Sequence, residues 1–501
     1  MTYATNDYIA SIDALTAKRI AEIRALPDKI TVSGTKYYVS AEGCDSADGL
    51  TPNSPWKTVA RVNEAKLLPG DGVFFRRGDI FRGTTLVASE GVTYSAYGEG
   101  EKPRLYSGQR DLADPSLWSL YNAESNVWKL NEKILDCGTL VFNNGEARSL
   151  KHIPTFKNMQ FVCRDDESRP FVIEKELTGD LDMVSLYSDR TTDSPSKGES
   201  FPIPIIDGES LGDLYLRCDR GNPGEVFDSI EALERRSMIA ARGDNVTINN
   251  LCIKYVGAHG IGGGGICRKG LHVIGCELGW IGGVIQHYFG TDPNYPEGGR
   301  GTVTRFGNAV EIYGGCDDYA VTDCYIYQVY DAGITHQVTT KSTVYEMKNI
   351  KYLRNVIEKC VYSIEYFLEK LDRSNNSLIS NCEMADNILR HSGYGWGQQR
   401  HNFYSPAHIK GWSYDNDARN FSIHNNIFDR AAFRMLHLVA TDAESLPEMY
   451  ENTYIQTNGL SLGQYGSKEN GEPANRVFDE RADKVIAEVL KDRDAKVYFI
   501  K

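Results

Sequence analysis

A short phrase returns seven times between Val246 and Ile455: an apolar strand ends in a polar or small residue, followed by a column residue, any residue, and an apolar one. The copies read Asn250-Leu251-Cys252-Ile253, Gly275-Cys276-Glu277-Leu278, Asp323-Cys324-Tyr325-Ile326, Arg354-Asn355-Val356-Ile357, Asn381-Cys382-Glu383-Met384, Asn425-Asn426-Ile427-Phe428 and Asn452-Thr453-Tyr454-Ile455. Column positions 251, 276, 324, 355, 382, 426 and 453 lie 25, 48, 31, 27, 44 and 27 residues apart, a period near 25 to 30 interrupted by two insertions of about 20. Each copy is too short, and too rich in Val, Ile, Asn and Gly, for a helical repeat. Asn or Cys at fixed phase suits an inward-facing ladder at a tight bend, and repeats of this kind bury their faces by stacking. The expected class is all-β, a right-handed parallel β-helix. Strands near 248, 273, 321, 352, 379 and 423 should be neighbours in one parallel sheet, with Cys276, Cys324, Asn355, Cys382 and Asn426 as the ladder.

With those residues in place, the chain resembles the pectate-lyase-like family of bacterial β-helix proteins. The stretch from Tyr37-Tyr38-Val39-Ser40 through Asp48-Gly49 to Pro55-Trp56-Lys57-Thr58 looks like that family's first coil. The resemblance reaches over about three quarters of the chain and implies a carbohydrate-active protein. It speaks for the fold more than for the reaction, because one fold hosts many chemistries.

The rest of the chain arranges itself around the repeat. Ile9, Ile12, Leu15, Ile20, Ile23 and Leu26 fall at near-helical spacing, with Asn6 or Asp7 as cap and Pro27 as stop, so 1–32 is expected to be a helix plugging the open end of the solenoid. First coils occupy 33–104. Regularity is lost over 105–236, read as a β-rich insertion docked on the solenoid. The main β-helix and its groove take 237–467, and 468–501 returns to helical periodicity through Val485, Ile486, Val489 and Leu490 as a second cap and tail.

A chain of 501 residues with 41% apolar content can fill a long core. Its net charge of -13 argues against a nucleic-acid partner, since phosphate binding needs a basic face, and leaves neutral or weakly charged sugars compatible. The cysteines number 11 and follow the repeat rather than metal or disulfide spacings, which reads as buried free thiols. No basic region followed by an apolar stretch opens the sequence and no run approaches the length of a membrane span. The expected location is therefore cytoplasmic, with no membrane partner, no cofactor and no metal.

A second strand follows each column residue, and three copies align as Val310-Glu311-Ile312, Ile334-Thr335-His336 and Ile364-Glu365-Tyr366. Alternation turns Val310, Ile334 and Ile364 inward, so Glu311, Thr335 and Glu365 should share an outward column, with Asp331 at the turn beside it. Two coil steps would set Glu311 and Glu365 about 10 Å apart at Cα, near the spacing used in inverting sugar hydrolysis, whereas a close Asp331–Glu365 pair would favour retention. The two insertions, His287 to Gly307 and Gly395 to Ala407, flank these carboxylates and carry His287, Tyr295, Arg300, Arg305, Trp396, Arg400, His401 and Tyr404, with His408, Lys410 and Trp412 just beyond. Such a mixture suits stacking on sugar rings and bonding to hydroxyls.

The expected activity is hydrolysis of an oligo- or polysaccharide by Glu311, Asp331 and Glu365, with His287, Arg305, His336, Trp396, Arg400, His401 and Lys410 binding substrate. Against it stand plain surface charge for either glutamate, a turn-shaping role for Asp331, hydrogen-bonded structural roles for the histidines, and packing for the tryptophans. Lys341, Arg305 and Arg400 carry the alternative of a polysaccharide lyase or sugar epimerase with a basic residue as base. The third alternative is a non-catalytic carbohydrate-binding or fibre protein, which would need no carboxylate cluster.

Overall fold

A computed structural model of the chain describes residues 2–501 other than 158–159, 187–190, 193–202, 205–210, 290–301, 401–404, 470–471, 474–475, 479–485 and 487–490. The protein is a right-handed parallel β-helix of three faces. The first face is a ten-stranded sheet, running from Ile80–Arg82 and Arg104–Tyr106 through Cys252–Val256, Glu277–Ile281, Tyr325–Val329, Val356–Glu358, Ile388–Ser392 and Ile427–Ala431 to Thr453–Thr457 and Lys496–Ile500. The second and third faces share a larger sheet, because the long strands Ile261–Ile274 and Val310–Thr322 bend from one into the other. On the second face the expected stacking is found: Ile248 registers with Val273, Val273 with Val321, Val321 with Tyr352, Tyr352 with Met384 and Met384 with Ile423. Inward residues of all three faces merge into one apolar core.

Corners make the coil possible, and each uses a left-handed residue. Entry to the first face falls on Asn250, Gly275, Asp323, Arg354, Asp386, Asn425 and Glu451, all at positive φ. Asn, Asp and Gly tolerate that conformation best, which is why the phrase carries a polar or small residue just before its column position. The column residue then repairs what the corner breaks. The backbone N–H of Cys324 donates to Asn355 Oδ1 (3.0 Å), that of Asn355 to Asn387 Oδ1 (2.9 Å), that of Asn387 to Asn426 Oδ1 (3.0 Å) and that of Asn426 to Asn452 Oδ1 (3.0 Å). At one end Cys324 Sγ accepts from the N–H of Cys276 (3.4 Å), and at the other Asn452 Nδ2 donates to Asp492 (2.9 Å).

Cys382 is not in this ladder. It lies on the second face between Ile350 and Phe421, and Asn387 holds the ladder position instead. The misphasing has a physical cause: Asn349, Asn381 and Asn420 form a separate left-handed corner on the second face, hydrogen-bonded in an exposed row from coil to coil, and it mimics the phrase. Asn452, rather than Thr453, likewise completes the ladder.

The N-terminal helix Asn6–Arg24 is capped by Thr5, whose hydroxyl accepts from the N–H of Tyr8 at 3.1 Å, rather than by Asn6 or Asp7. Its contacts run along the flank of the first face, not over an open end. Tyr8 meets Tyr498, Asp13 pairs with Arg390, Arg19 with Asp323, and Arg24 makes a two-pronged contact with Glu277 at 2.8 and 2.9 Å. Nineteen residues rise about 28 Å, enough to cross six coils at about 4.8 Å each. Before the helix, Thr2 and Ala4 bracket Phe499 as a further parallel rung. The expected helical segment at 480–490 lies outside the described residues apart from Ile486, and Lys496–Ile500 is a rung of the first face rather than a tail.

The insertion has its own antiparallel sheets and apolar cluster, built on Trp118, Leu140, Phe142, Leu214 and Leu216. It docks through Asp136, which accepts from the N–H of Ile285 at 2.6 Å and pairs with the buried Lys151, and through Gln399, which bonds Ser149 and Lys151. Among the described residues no helix is long and apolar enough to cross a membrane.

The ladder phase is testable by stability. Asn387→Ala strips the acceptor from a fully buried N–H and should cost about 3 kcal/mol in urea unfolding, while Asn381→Ala at the exposed corner should cost under about 1 kcal/mol. Thiol titration checks the same packing: all 11 cysteines are free thiols, only Cys44 and Cys267 are exposed, and two should react at once with the remainder requiring denaturant.

Candidate active site

The third face carries the chemistry. Glu311 registers with Thr335, Thr335 with Glu365, Glu365 with Lys410, Lys410 with His437 and His437 with Gln464, an outward column over six coils. Two inward positions precede it on each strand. A Cβ on Gly333 would meet Ile326 and Ile357 of the interior, so the step before it, Ala332, Tyr362 and Ala407, faces out. Between two alanines the Tyr362 ring has room to lie beside the column, and Lys410 Nζ sits 3.8 Å from its centre.

Asp331, Glu365, Arg400 and Lys410 form one buried cluster around Tyr362. Lys410 pairs with Glu365 at 3.2 Å, and Arg400 pairs with Asp331 while resting 5.6 Å from the Tyr362 ring and 5.9 Å from the Phe306 ring. Burial pushes the Glu365 carboxyl above the usual range; the Lys410 charge opposes that shift and the Asp331 charge adds to it. Lys410 is itself held charged: burial favours the neutral amine, but the charge of Glu365 together with the charge and hydrogen bond of Tyr362 outweigh it. Arg400 is held cationic against its burial by Asp331 first. The arrangement therefore has one carboxyl biased to keep a proton and a second clamped by a guanidinium.

Glu311 belongs to a neighbouring unit. His259 Nδ1 lies 3.0 Å from its Oε2 and Asn308 Nδ2 donates to the same oxygen. Burial alone would raise Glu311, but the charge and hydrogen bond of His259, with Asn308, bring it below the usual range. Asn308 also ties this unit to the cluster, since its Oδ1 accepts from the N–H of Ala332, next to Asp331 (2.9 Å).

Three of the residues expected to bind substrate stand elsewhere. His336 follows Thr335 and so faces inward, bonded to the Tyr352 hydroxyl at 2.8 Å and stacked on Tyr366; burial drops it to about 3. Trp396 is 1% exposed and closes against Tyr330, with Nε1 donating to Gln328 O at 2.7 Å. Its ring lies so close to Gly283 that any Cβ there would collide with it at 2.3 Å. Arg305 is buried between solenoid and insertion, donating to the carbonyls of Gly283 and Gly138 and lying over Tyr330. His401, Tyr295, Arg300 and Tyr404 lie outside the described residues, as does the side chain of His287, whose backbone is in the strand Val284–Phe289. Lys341 is exposed in the turn after Ala332–Thr340.

His259, Asn308 and Tyr362 went unread in the sequence. Two of them carry a signal after alignment: His259 stands two residues before Ile261 and Asn308 two before Val310, and those strand residues are register partners. Among the described residues no group of three or more His, Cys, Asp or Glu is placed to hold a metal ion.

No family model matches the chain. It is 39% identical over 82 residues to the lacto-N-biosidase of Bifidobacterium longum subsp. longum, a match spanning 14% of this chain and 5% of that protein. Among solved structures it is similar to a GH136 lacto-N-biosidase from Eubacterium ramulus (10% identity, TM-score 0.36, covering 98% of this chain and 71% of the other). It is also similar to a complex of XylC with xylose (11% identity, TM-score 0.40, covering 93% and 83%). Likenesses at these levels transfer no activity to the chain.

The strength of the Asp331–Arg400 clamp can be measured by a double-mutant cycle. Arg400→Ala leaves a buried carboxylate uncompensated and should cost about 3 to 5 kcal/mol, and adding Asp331→Asn should recover a large part of that loss. Additive losses would show that the two side chains do not act as a pair.

Proposed function

We propose that the protein is a glycoside hydrolase acting on an oligo- or polysaccharide, with Glu365 and Asp331 as its carboxyl pair. The observation that carries this reading is a pair of buried carboxyls beside one outward surface, Glu365 pushed above the usual range by burial and paired with Lys410, and Asp331 paired with Arg400. Glycosidic cleavage needs such a division of labour: one carboxylic acid protonates the leaving oxygen while a carboxylate acts on water or on the anomeric carbon. Glu365 suits the acid, since burial and the Asp331 charge both favour its proton. Asp331, held by Arg400, suits the carboxylate. Glu311 takes a supporting place through Asn308. The 82-residue match to a lacto-N-biosidase is in keeping with glycosidase chemistry.

An Asp331–Glu365 pair about 5 Å apart would act with retention, whereas a Glu311–Glu365 pair two coils apart would act with inversion. The lyase alternative needs a basic residue able to take up a proton. Arg400 and Lys410 are both held charged by carboxylates, which supports the hydrolase reading.

A screen of aryl glycosides and oligosaccharides, followed by proton NMR of the first-formed anomer, tests the reaction. Glu365→Gln should lower turnover by about two to four orders of magnitude with the thermal midpoint little changed, Asp331→Asn should lower it as far while also lowering the midpoint because Arg400 loses its counter-charge, and Glu311→Gln should lower turnover by less than about tenfold. Near wild-type turnover in the first two variants sinks the assignment, and absorbance from an unsaturated uronide product would put a lyase in its place. The alkaline limb gives a second check. A carboxyl whose folded pKa is raised adds stability that is fully present below its ordinary range and is lost as pH rises through the raised value. Wild-type kcat and thermal midpoint should therefore both fall along that limb, and Glu365→Gln should remove the slope in the midpoint.

A further inference from the structure

Two residues further along the same strands, a second outward column runs beside the carboxylates. Tyr313 registers with Gln337 and Gln337 with Phe367, and Trp412 follows Gly411, the register partner of Tyr366, so that its ring packs against Phe367 at 4.6 Å. Strand geometry sets this column about 7 Å from Glu311, Thr335, Glu365 and Lys410. Tyr313 is 45% exposed, yet its hydroxyl accepts from the N–H of Thr339 at 3.3 Å on the next coil, which ties the ring down across the sheet instead of leaving it to swing in solvent. Trp412 is half-buried, with Lys410 Nζ 6.0 Å from its ring. Exposed aromatic faces fixed in advance lose little entropy when a ring stacks on them. In the adjoining column, about 7 Å away, Thr335 Oγ1 is fully buried between Glu311 and Glu365 and has no hydrogen-bond partner.

Resting on the hydrolase reading, we propose that Tyr313 and Trp412, the latter backed by the buried Phe367, are two stacking subsites for pyranose rings of a neutral oligosaccharide lying along the solenoid axis. Two coil steps separate Tyr313 from Phe367 and three separate it from Trp412, about 10 and 14 Å, too far for one sugar ring to touch both. The ligand therefore has several units. Neutral sugars fit because the two cations beside the platform, Arg400 and Lys410, are already balanced by Asp331 and Glu365. An anionic sugar would have to break one of those pairs.

The test uses the full chain on a printed array of neutral and acidic oligosaccharides, then calorimetric titration with the best neutral tetrasaccharide and its di- and trisaccharide truncations. Binding should strengthen with length, Tyr313→Ala should abolish that gain, and Trp412→Ala should weaken binding about tenfold at every length, with Trp412→Tyr restoring most of it. Tyr313 is exposed, so its variant reports even if Trp412→Ala fails to fold. Wild-type binding in both alanine variants, capture of acidic sugars alone, or no sugar bound overturns the proposal. Tight length-dependent binding without turnover would retain the platform and remove the hydrolase, whereas turnover lost in Glu365→Gln but unmoved by Tyr313→Ala would do the reverse.

Discussion

A coil that turns inside an apolar core must leave backbone N–H groups pointing where no water can reach them, and an unpaired one is expensive. The side-chain carbonyls of Asn355, Asn387, Asn426 and Asn452 answer that constraint one coil at a time, each accepting from the backbone of the coil before it. The left-handed residue that precedes each of them makes the bend, and the asparagine satisfies the amide the bend exposes. Everything on the outer surface inherits its spacing from this arrangement. Because the coils cannot slip relative to one another without breaking the ladder, Glu311, Thr335, Glu365 and Lys410 stay in register, and the charges of the cluster are held at fixed separations rather than on mobile side chains of a loop.

The fold was legible because period, corner chemistry and inward alternation are all local properties of the chain. What resisted was phase. Each coil has several left-handed corners that select the same residues, so Asn381-Cys382 on the second face was indistinguishable in sequence from a ladder position, and only the pairing of Asn387 with its neighbours decides between them. The helix Asn6–Arg24 was legible as a helix, but not its place, since an amphipathic stripe does not say whether it covers the end or the side of a solenoid.

In the site, the outward column of Glu311, Thr335 and Glu365 followed from alternation alone, and the structure places those residues as register partners. His336 shows the limit of reading by residue type: alternation turns it inward with Ile312 and Tyr366, and its chemistry does not override that geometry. Trp396 and Arg305 fail in the opposite way. Both sit in loops that flank the cluster, but where a loop meets an inserted domain its large residues are needed to seal the junction, and their polar atoms are spent on Gln328, Gly283 and Gly138. The partners of Glu311, His259 and Asn308, could only emerge once coils were aligned across a long insertion.

Burial gives the Asp331–Glu365 cluster its chemical character, and several elements produce that burial. The column supplies Glu365 and Lys410, the corner supplies Asp331, and Arg400 arrives from the turn that begins at Trp396. That turn is fixed in turn by Gln399, which bonds the inserted domain through Ser149 and Lys151. Removing the insertion would thus take away the contacts of Gln399 and loosen Arg400 from its place beside Asp331. An otherwise regular solenoid displays outward carboxylates to solvent on many coils; here Glu365 is buried beside Lys410, and burial moves its proton affinity away from that of a surface residue.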